Sequence, residues 1–244
     1  MTSGTISLQR KDTEFSGGYG ILKQELPELL QDISMLHPEE KKYLNTLKFN
    51  RRKHSYLLGR VASKQALSQL ITTQKPGAVF VDSGIFQFPV AKYIHNLNIQ
   101  VTISHCEHIG LALAFPEAHP LGIDIEKIEE NKIDTIKSQM TSKEKTMIPA
   151  MEIPLNSAYT MLWTIKESLS KILKTGLMTN FKFFEVDSLL PDGNSYAAVF
   201  VHHGQYKAIS RLLGSYSCTL VFPKYTTPNL DRFWSSLQQV IHPS

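Results

Sequence analysis

Two short stretches constrain this chain most: Leu162 to Gly176, LWTIKESLSKILKTG, and Leu121 to Ile128, LGIDIEKI. In the first, Leu162, Ile165, Leu169 and Ile172 recur at helical spacing and predict one buried stripe, while Trp163, Glu167 and Lys171 stand four apart on another face. The helix therefore carries a carboxylate beside an ammonium. In the second, Ile123 and Ile125 alternate with Asp124 and Glu126, which on a strand places both carboxylates on one face, roughly 6 to 7 Å apart at Cα. That spacing suits two ligands of one hard cation. Alone, each piece is ordinary. Glu and Lys four apart on a helix usually make a solvated pair worth about 0.3 to 0.5 kcal/mol, and apolar-in, acidic-out is the pattern of any half-exposed strand. Their weight comes from the segments they occur with, in a fixed order.

At 244 residues and 42% hydrophobic, the chain can bury a real core, between one large domain and two of ordinary size. No apolar run reaches the length of a membrane helix, and the start MTSGTISLQRK lacks the apolar centre of a secretory signal, so a soluble protein is expected. Two cysteines, Cys106 and Cys218, cannot make a disulfide framework, and a reducing cytoplasm is the expected compartment. The net charge of +4 is too small to argue for nucleic acid; it favours acidic ligands or partners.

Along the chain, residues 1 to 20 read as an irregular opening with early strands, and GGYG, lacking a following GK[ST], is a poor phosphate loop. LPELLQDI and HPEEKKYLNTL follow, the second a sound helix start because proline fits the first turn and acids suit the positive end of the dipole. From Phe49 to Leu70 a long amphipathic helix is predicted, its polar face basic: Arg51, Arg52, Lys53, Arg60, Lys64. NIQVTISHCEHIGLALAF predicts a hairpin with His105 to His108 as its polar turn. After EAHP come the strand LGIDIEKI, the helix TSKEKTMI opened by a Thr141 to Glu144 capping box, and the central helix. Gly176 is its stop signal. FKFFEVDSLL, YAAVFVHH, YKAISRLL and YSCTLVF read as strands of a second sheet.

The halves echo each other. KQALSQL from Lys64 resembles KESLSKI from Lys166, VDS recurs at Val81 and Val186, and Glu40-Lys41 recurs at Glu144-Lys145, all at a near-constant interval of about 100 residues. This predicts an α+β fold of two pseudo-symmetric lobes, 1–118 and 119–244, with a substrate cleft at their interface. Because the internal repeat already supplies an interface, a monomer is expected.

Arg51, Gly59-Arg60, Ser104-His105, Gly122-Ile-Asp124-Ile-Glu126 and Trp163-Thr-Ile-Lys166-Glu167-Ser-Leu-Ser-Lys171 resemble the motif series of the surfactin-synthetase-type 4′-phosphopantetheinyl transferases, over about Pro38 to Gly176. The resemblance implies transfer of the phosphopantetheine arm of coenzyme A to a serine of an apo acyl or peptidyl carrier protein, releasing adenosine 3′,5′-bisphosphate. It implies that Asp124, Glu126 and Glu167 hold one Mg²⁺, a hard ion that prefers carboxylates plus phosphate oxygens. Glu167 or a metal-bound water is the base, the ion and Lys171 being expected to lower the Glu167 pKa. The resemblance also implies that Lys171 and Lys166 would face the diphosphate, and that Arg51, or Arg52 in its place, would sit with His105 at the 3′-phosphate, Ser104 and Arg60 beside them. Carrier proteins of this kind are acidic helical bundles, which Lys41, Lys42, Lys143 and Lys145 would steer.

Two departures from the family pattern concern coenzyme A. Where many relatives carry Gly-Lys-Pro, this chain has Gly84-Ile85-Phe86, leaving Lys75 or Lys92 to make that contact; and the SHS triplet is Ser104-His105-Cys106. Other readings of the same residues are a Mg²⁺-dependent phosphohydrolase, which would form product without a carrier, and a zinc-binding module built on HCEH and His202-His203.

Overall fold

The computed structural model describes residues 1–84, 87–94 and 98–242. They divide into two compact units, Leu121–Tyr225 and the remainder, Met1–Pro120 with Thr226–Ser244. Residues 226–244 return to the first unit.

The first unit opens on a long antiparallel hairpin, β1 (Thr2–Arg10) and β2 (Thr13–Lys23), so the early strands read from the sequence are there and the opening is regular rather than irregular. The glycines that read as loop are there for packing. Cβ atoms at Gly18 and Gly20 would overlap the carbonyl oxygens of Ala66 and Ala62, so glycine lets the central helix lie directly on the strand. After α1 (Leu26–Gln31) and α2 (Pro38–Thr46), that helix is α3 (Asn50–Ser68), followed by a small ribbon, β3 (Phe80–Ser83) with β4 (Pro89–Lys92). β5 (Ile99–Cys106) and β6 (Ile109–Pro116) form the predicted hairpin with a tighter tip. His105 pairs with Gly110 and Cys106 with Ile109, so only Glu107, at φ 52°, and His108 make the turn, and His105 lies on the strand.

The basic face predicted for α3 is half wrong. Arg51 and Arg52 are exposed, but Lys64 is fully buried and Arg60 is 9% exposed. The physical reason is Glu40, itself fully buried on α2, whose carboxylate takes the Lys64 ammonium at 2.9 Å. Glu40 also accepts the backbone N–H of His37 at 2.8 Å, as a helix cap, and that of Val81 on β3 at 2.9 Å.

In the second unit, β7 (Gly122–Lys127) is the edge of a sheet whose other strands are β8 (Val186–Asp192), β9 (Ser195–Phe200), β10 (Tyr206–Leu213) and β11 (Tyr216–Pro223), in the order β7-β11-β10-β9-β8. Between β7 and β8 run α4 (Ile133–Ser138), α5 (Ser142–Met147) and α6 (Leu155–Ile172). The Thr141 side chain accepts from the Glu144 N–H and the Glu144 side chain from the Thr141 N–H, the capping box read from the sequence. On α6, Leu162, Ile165 and Leu169 are fully buried. FKFF is not strand but a 3₁₀ turn, Phe181–Phe184: Phe181 and Phe184, three apart, both enter the core, which alternation on a strand would forbid. Beyond residue 225 the chain adds β12 (Thr227–Pro228) to the first unit's sheet, in the order β12-β1-β2-β6-β5, and α7 (Asp231–Ile241) packs on β1 and β2. Among the described residues no helix is long and apolar enough to cross a membrane.

Candidate active site

Antiparallel pairing of β7 with β11 sets Asp124 opposite Thr219 and Glu126 opposite Ser217, and α6 lies across both strands. Gly122 makes the close approach possible, since a Cβ there would overlap the Ser168 carbonyl oxygen. Ile123 and Ile125 are fully buried; Asp124 is 4% exposed and Glu126 half-buried. From α6, Lys171 donates to Asp124 Oδ1 and to the Ile123 carbonyl oxygen, both at 2.8 Å. Trp163, on the same face of the sequence pattern, stacks on Phe181 at 4.8 Å and serves packing.

The electrostatics show how closely the acids crowd. Burial, then the charge of Asp124, raises the Glu126 pKa to about 6; burial, then Asp124, raises that of Glu167 to about 7 despite Lys171. Lys171 does pull the Glu167 value down, but without a cation burial and Asp124 outweigh it. One ammonium does not balance three carboxylates. An all-oxygen, cation-seeking donor set of this kind fits a hard divalent ion in its chemistry, although among the described residues no three His, Cys, Asp or Glu side chains are already gathered around a metal position.

Lys166 does not belong to this group. It is fully buried, held by Glu144 at 2.6 Å and the Gln139 carbonyl oxygen at 3.1 Å, and has no solvent-facing ammonium to offer a ligand. Its sequence signal, a charge directly before Glu167, is the same whether the side chain faces water or a buried acid.

The first unit contains a cavity of about 300 Å³ lined by Arg52, Ser55, Tyr56, Arg60, Ser83 and His105 among others. Arg60 spans it, with its guanidinium 4.7 Å above the Tyr56 ring, 3.5 Å from Ser83 Oγ and 3.9 Å from Glu40. Of the predicted residues, Arg60 and His105 line it; Ser104 is buried beside His105; Arg51 is exposed and Arg52 takes its place in the wall. Sequence reasoning missed Ser55, Tyr56 and Ser83. Their helical and strand positions carried no motif. Ile85 and Phe86, at the Gly-Lys-Pro position, lie outside the described residues. Lys92 pairs with Asp82 at 2.5 Å, and neither it nor Lys75 lines the cavity. The histidines of the zinc reading make other contacts: His108 lies 3.2 Å from Glu25, and His202 and His203 pack on Phe183 and Phe184.

Residues 120–221 match the family model described as the 4′-phosphopantetheinyl transferase superfamily. Among solved structures, the chain is similar to a holo-(acyl-carrier-protein) synthase from Bacillus anthracis in complex with CoA (3′,5′-ADP), at 19% identity over 40% of this chain and 93% of that one, TM-score 0.35. It is also similar to the Thermotoga maritima holo-[acyl-carrier-protein] synthase, at 21% identity over 48% of this chain and 72% of that one, TM-score 0.31. Likenesses at that level carry no argument of their own. No curated protein matches. The matched segment, 120–221, is under half of the chain and contains β7, α6 and all four charged side chains described above.

Proposed function

We propose that the chain, as a transferase of the surfactin-synthetase type, moves the 4′-phosphopantetheine arm of coenzyme A to a serine of an apo acyl or peptidyl carrier protein. The observation that carries this is the group of Asp124, Glu126, Glu167 and Lys171 assembled by one strand and one helix. The serine oxygen attacks the phosphopantetheine phosphorus. A phosphate ester forms as the anhydride bond breaks, adenosine 3′,5′-bisphosphate leaves, and the serine proton passes to a base. Little covalent help is needed; charge placement is.

Glu167, directly or through a water beside the ion, is the proposed proton acceptor. Lys171, oriented by Asp124, offers its ammonium to charge developing on the diphosphate. Asp124, Glu126 and Glu167 would hold Mg²⁺, which supplies further neutralisation of that charge. In the first unit, Arg52, Arg60 and His105 give a cavity wall suited to a nucleotide phosphate, with Tyr56 as an aromatic surface. The recurrence of Glu40, Lys64 and Val81 contacts as Glu144, Lys166 and Val186 contacts supports two copies of one α+β module.

The test is direct. Protein, Mg²⁺, coenzyme A and an apo carrier domain are mixed and the carrier weighed by mass spectrometry. A gain of one phosphopantetheine, abolished by Asp124→Ala and by Glu167→Ala, is the expected result. Cleavage of coenzyme A without any carrier would identify a phosphohydrolase instead.

A further inference from the structure

Each unit contains a buried ion pair between its central helix and the capping glutamate of a preceding helix. In the first, Glu40 holds Lys64 at 2.9 Å and the Val81 N–H at 2.9 Å, both charged side chains fully buried. In the second, Glu144 holds Lys166 at 2.6 Å and the Val186 N–H at 2.9 Å, again fully buried. Removing such charges from water costs about as much as their attraction returns, so a buried pair is a poor stabiliser compared with apolar packing. What it fixes is direction. The carboxylate ties three elements together at one point, and the helix cannot slide or turn without stranding a charge.

The two copies differ in what stands beside the lysine. One turn before Lys64 is Arg60, whose guanidinium reaches the same Glu40 at 3.9 Å and enters the cavity; the matching position in the second unit is Leu162, a core residue. Directly after Lys166 is Glu167; the matching position in the first unit is Gln65. The same device thus touches an arginine in one unit and, in the other, holds the residue next in sequence to a carboxylate.

We infer that Glu40 and Glu144 are positioning residues with separate ligands: Glu40, with Lys64, sets Arg60 for a nucleotide phosphate, and Glu144, with Lys166, sets Glu167 for a divalent cation. The inference rests on the sites proposed above, and the experiment separates the two. The neutral, volume-keeping pairs Glu40→Gln with Lys64→Met and Glu144→Gln with Lys166→Met remove both members of each ion pair, and in the first unit leave Arg60 as the charge that had shared Glu40. Binding of adenosine 3′,5′-bisphosphate is measured by calorimetry and of Mn²⁺ by paramagnetic resonance, so no turnover is required. The first pair should weaken the nucleotide about tenfold and Mn²⁺ by less than about twofold; the second should do the reverse, the scale expected when a residue supporting a ligand is removed. Glu40→Asp and Glu144→Asp, which keep the charge on a shorter arm, carry the same prediction if either pair fails to fold.

Arg60→Ala and Glu167→Ala are the references. If these lose their ligands while folded positioning variants keep both, or lose both together, the inference is overturned and the sites stand. If the references keep their ligands, the sites themselves are misassigned and the inference falls with them.

Discussion

Replacing Glu167 with glutamine should stabilise the metal-free protein while destroying its function. The carboxyl is raised from 4.5 to about 7, burial and Asp124 outweighing Lys171. A carboxyl raised in the folded state favours folding below its unfolded value, near pH 4.5, and that contribution is lost as pH rises through about 7. One pH unit is about 1.4 kcal/mol, so holding Glu167 ionised at about pH 8 costs on the order of 3 kcal/mol. Solvent reaching a half-buried group returns part of this, leaving about 1 to 2 kcal/mol for the substitution to recover. With a urea slope of about 2 kcal/mol per molar, the midpoint rises by about 0.5 to 1 M. Trp163, on the same helix, reports the unfolding of this unit by fluorescence. The gain should vanish near pH 4.5 and shrink when Mg²⁺ is added, because the cation relieves the wild-type repulsion but finds a poorer site in the variant. A glutamine variant less stable than wild type at about pH 8 would refute the crowding argument.

Other substitutions test neighbouring steps. Lys171→Met strips Asp124 of its 2.8 Å partner and should lower stability by about 2 kcal/mol or more, as removing one member of a largely buried pair does, with transfer lost in the mass assay. Gly122→Ala forces a methyl into the Ser168 carbonyl oxygen and should cost about 3 kcal/mol or more, read as a fall in the urea midpoint or loss of soluble protein. His119 is fully buried, its Nε2 2.7 Å from Thr226 Oγ1, Phe15 against its ring, and burial, with Arg10 nearby, holds its pKa below 6.5. Its depressed value means stability is present above about pH 6.5 and lost as pH falls below it; Trp234 fluorescence should show that loss on acidification, and His119→Gln should flatten it.

What the sequence showed and what it hid follow one division. Elements governed by local periodicity were legible: Ile123 and Ile125 alternate with the two acids, Leu162, Ile165 and Leu169 share a helix face, and Thr141 with Glu144 announces a cap. Elements governed by approach of distant backbone were not. Gly18 and Gly20 look like loop residues until Ala62 and Ala66 lie on them, and FKFF looks like strand until the core takes Phe181 and Phe184 together.

The candidate site divides the same way. Asp124, Glu126, Glu167 and Lys171 could be placed because strand and helix periods aim them, and because each is a type that hard-cation and diphosphate chemistry requires. Lys64 and Lys166 could not, since their partners lie on other elements and a lysine on a helix is by default a surface residue. The capping glutamates held the missing information. A cap uses one carboxylate oxygen for the helix it starts, which leaves the other to accept a strand N–H and the carboxylate to hold a buried cation. A cap glutamate repeated at the interval of an internal duplication is therefore a reason to look for a buried lysine on the following long helix, and for a ligand-binding side chain within a turn of it.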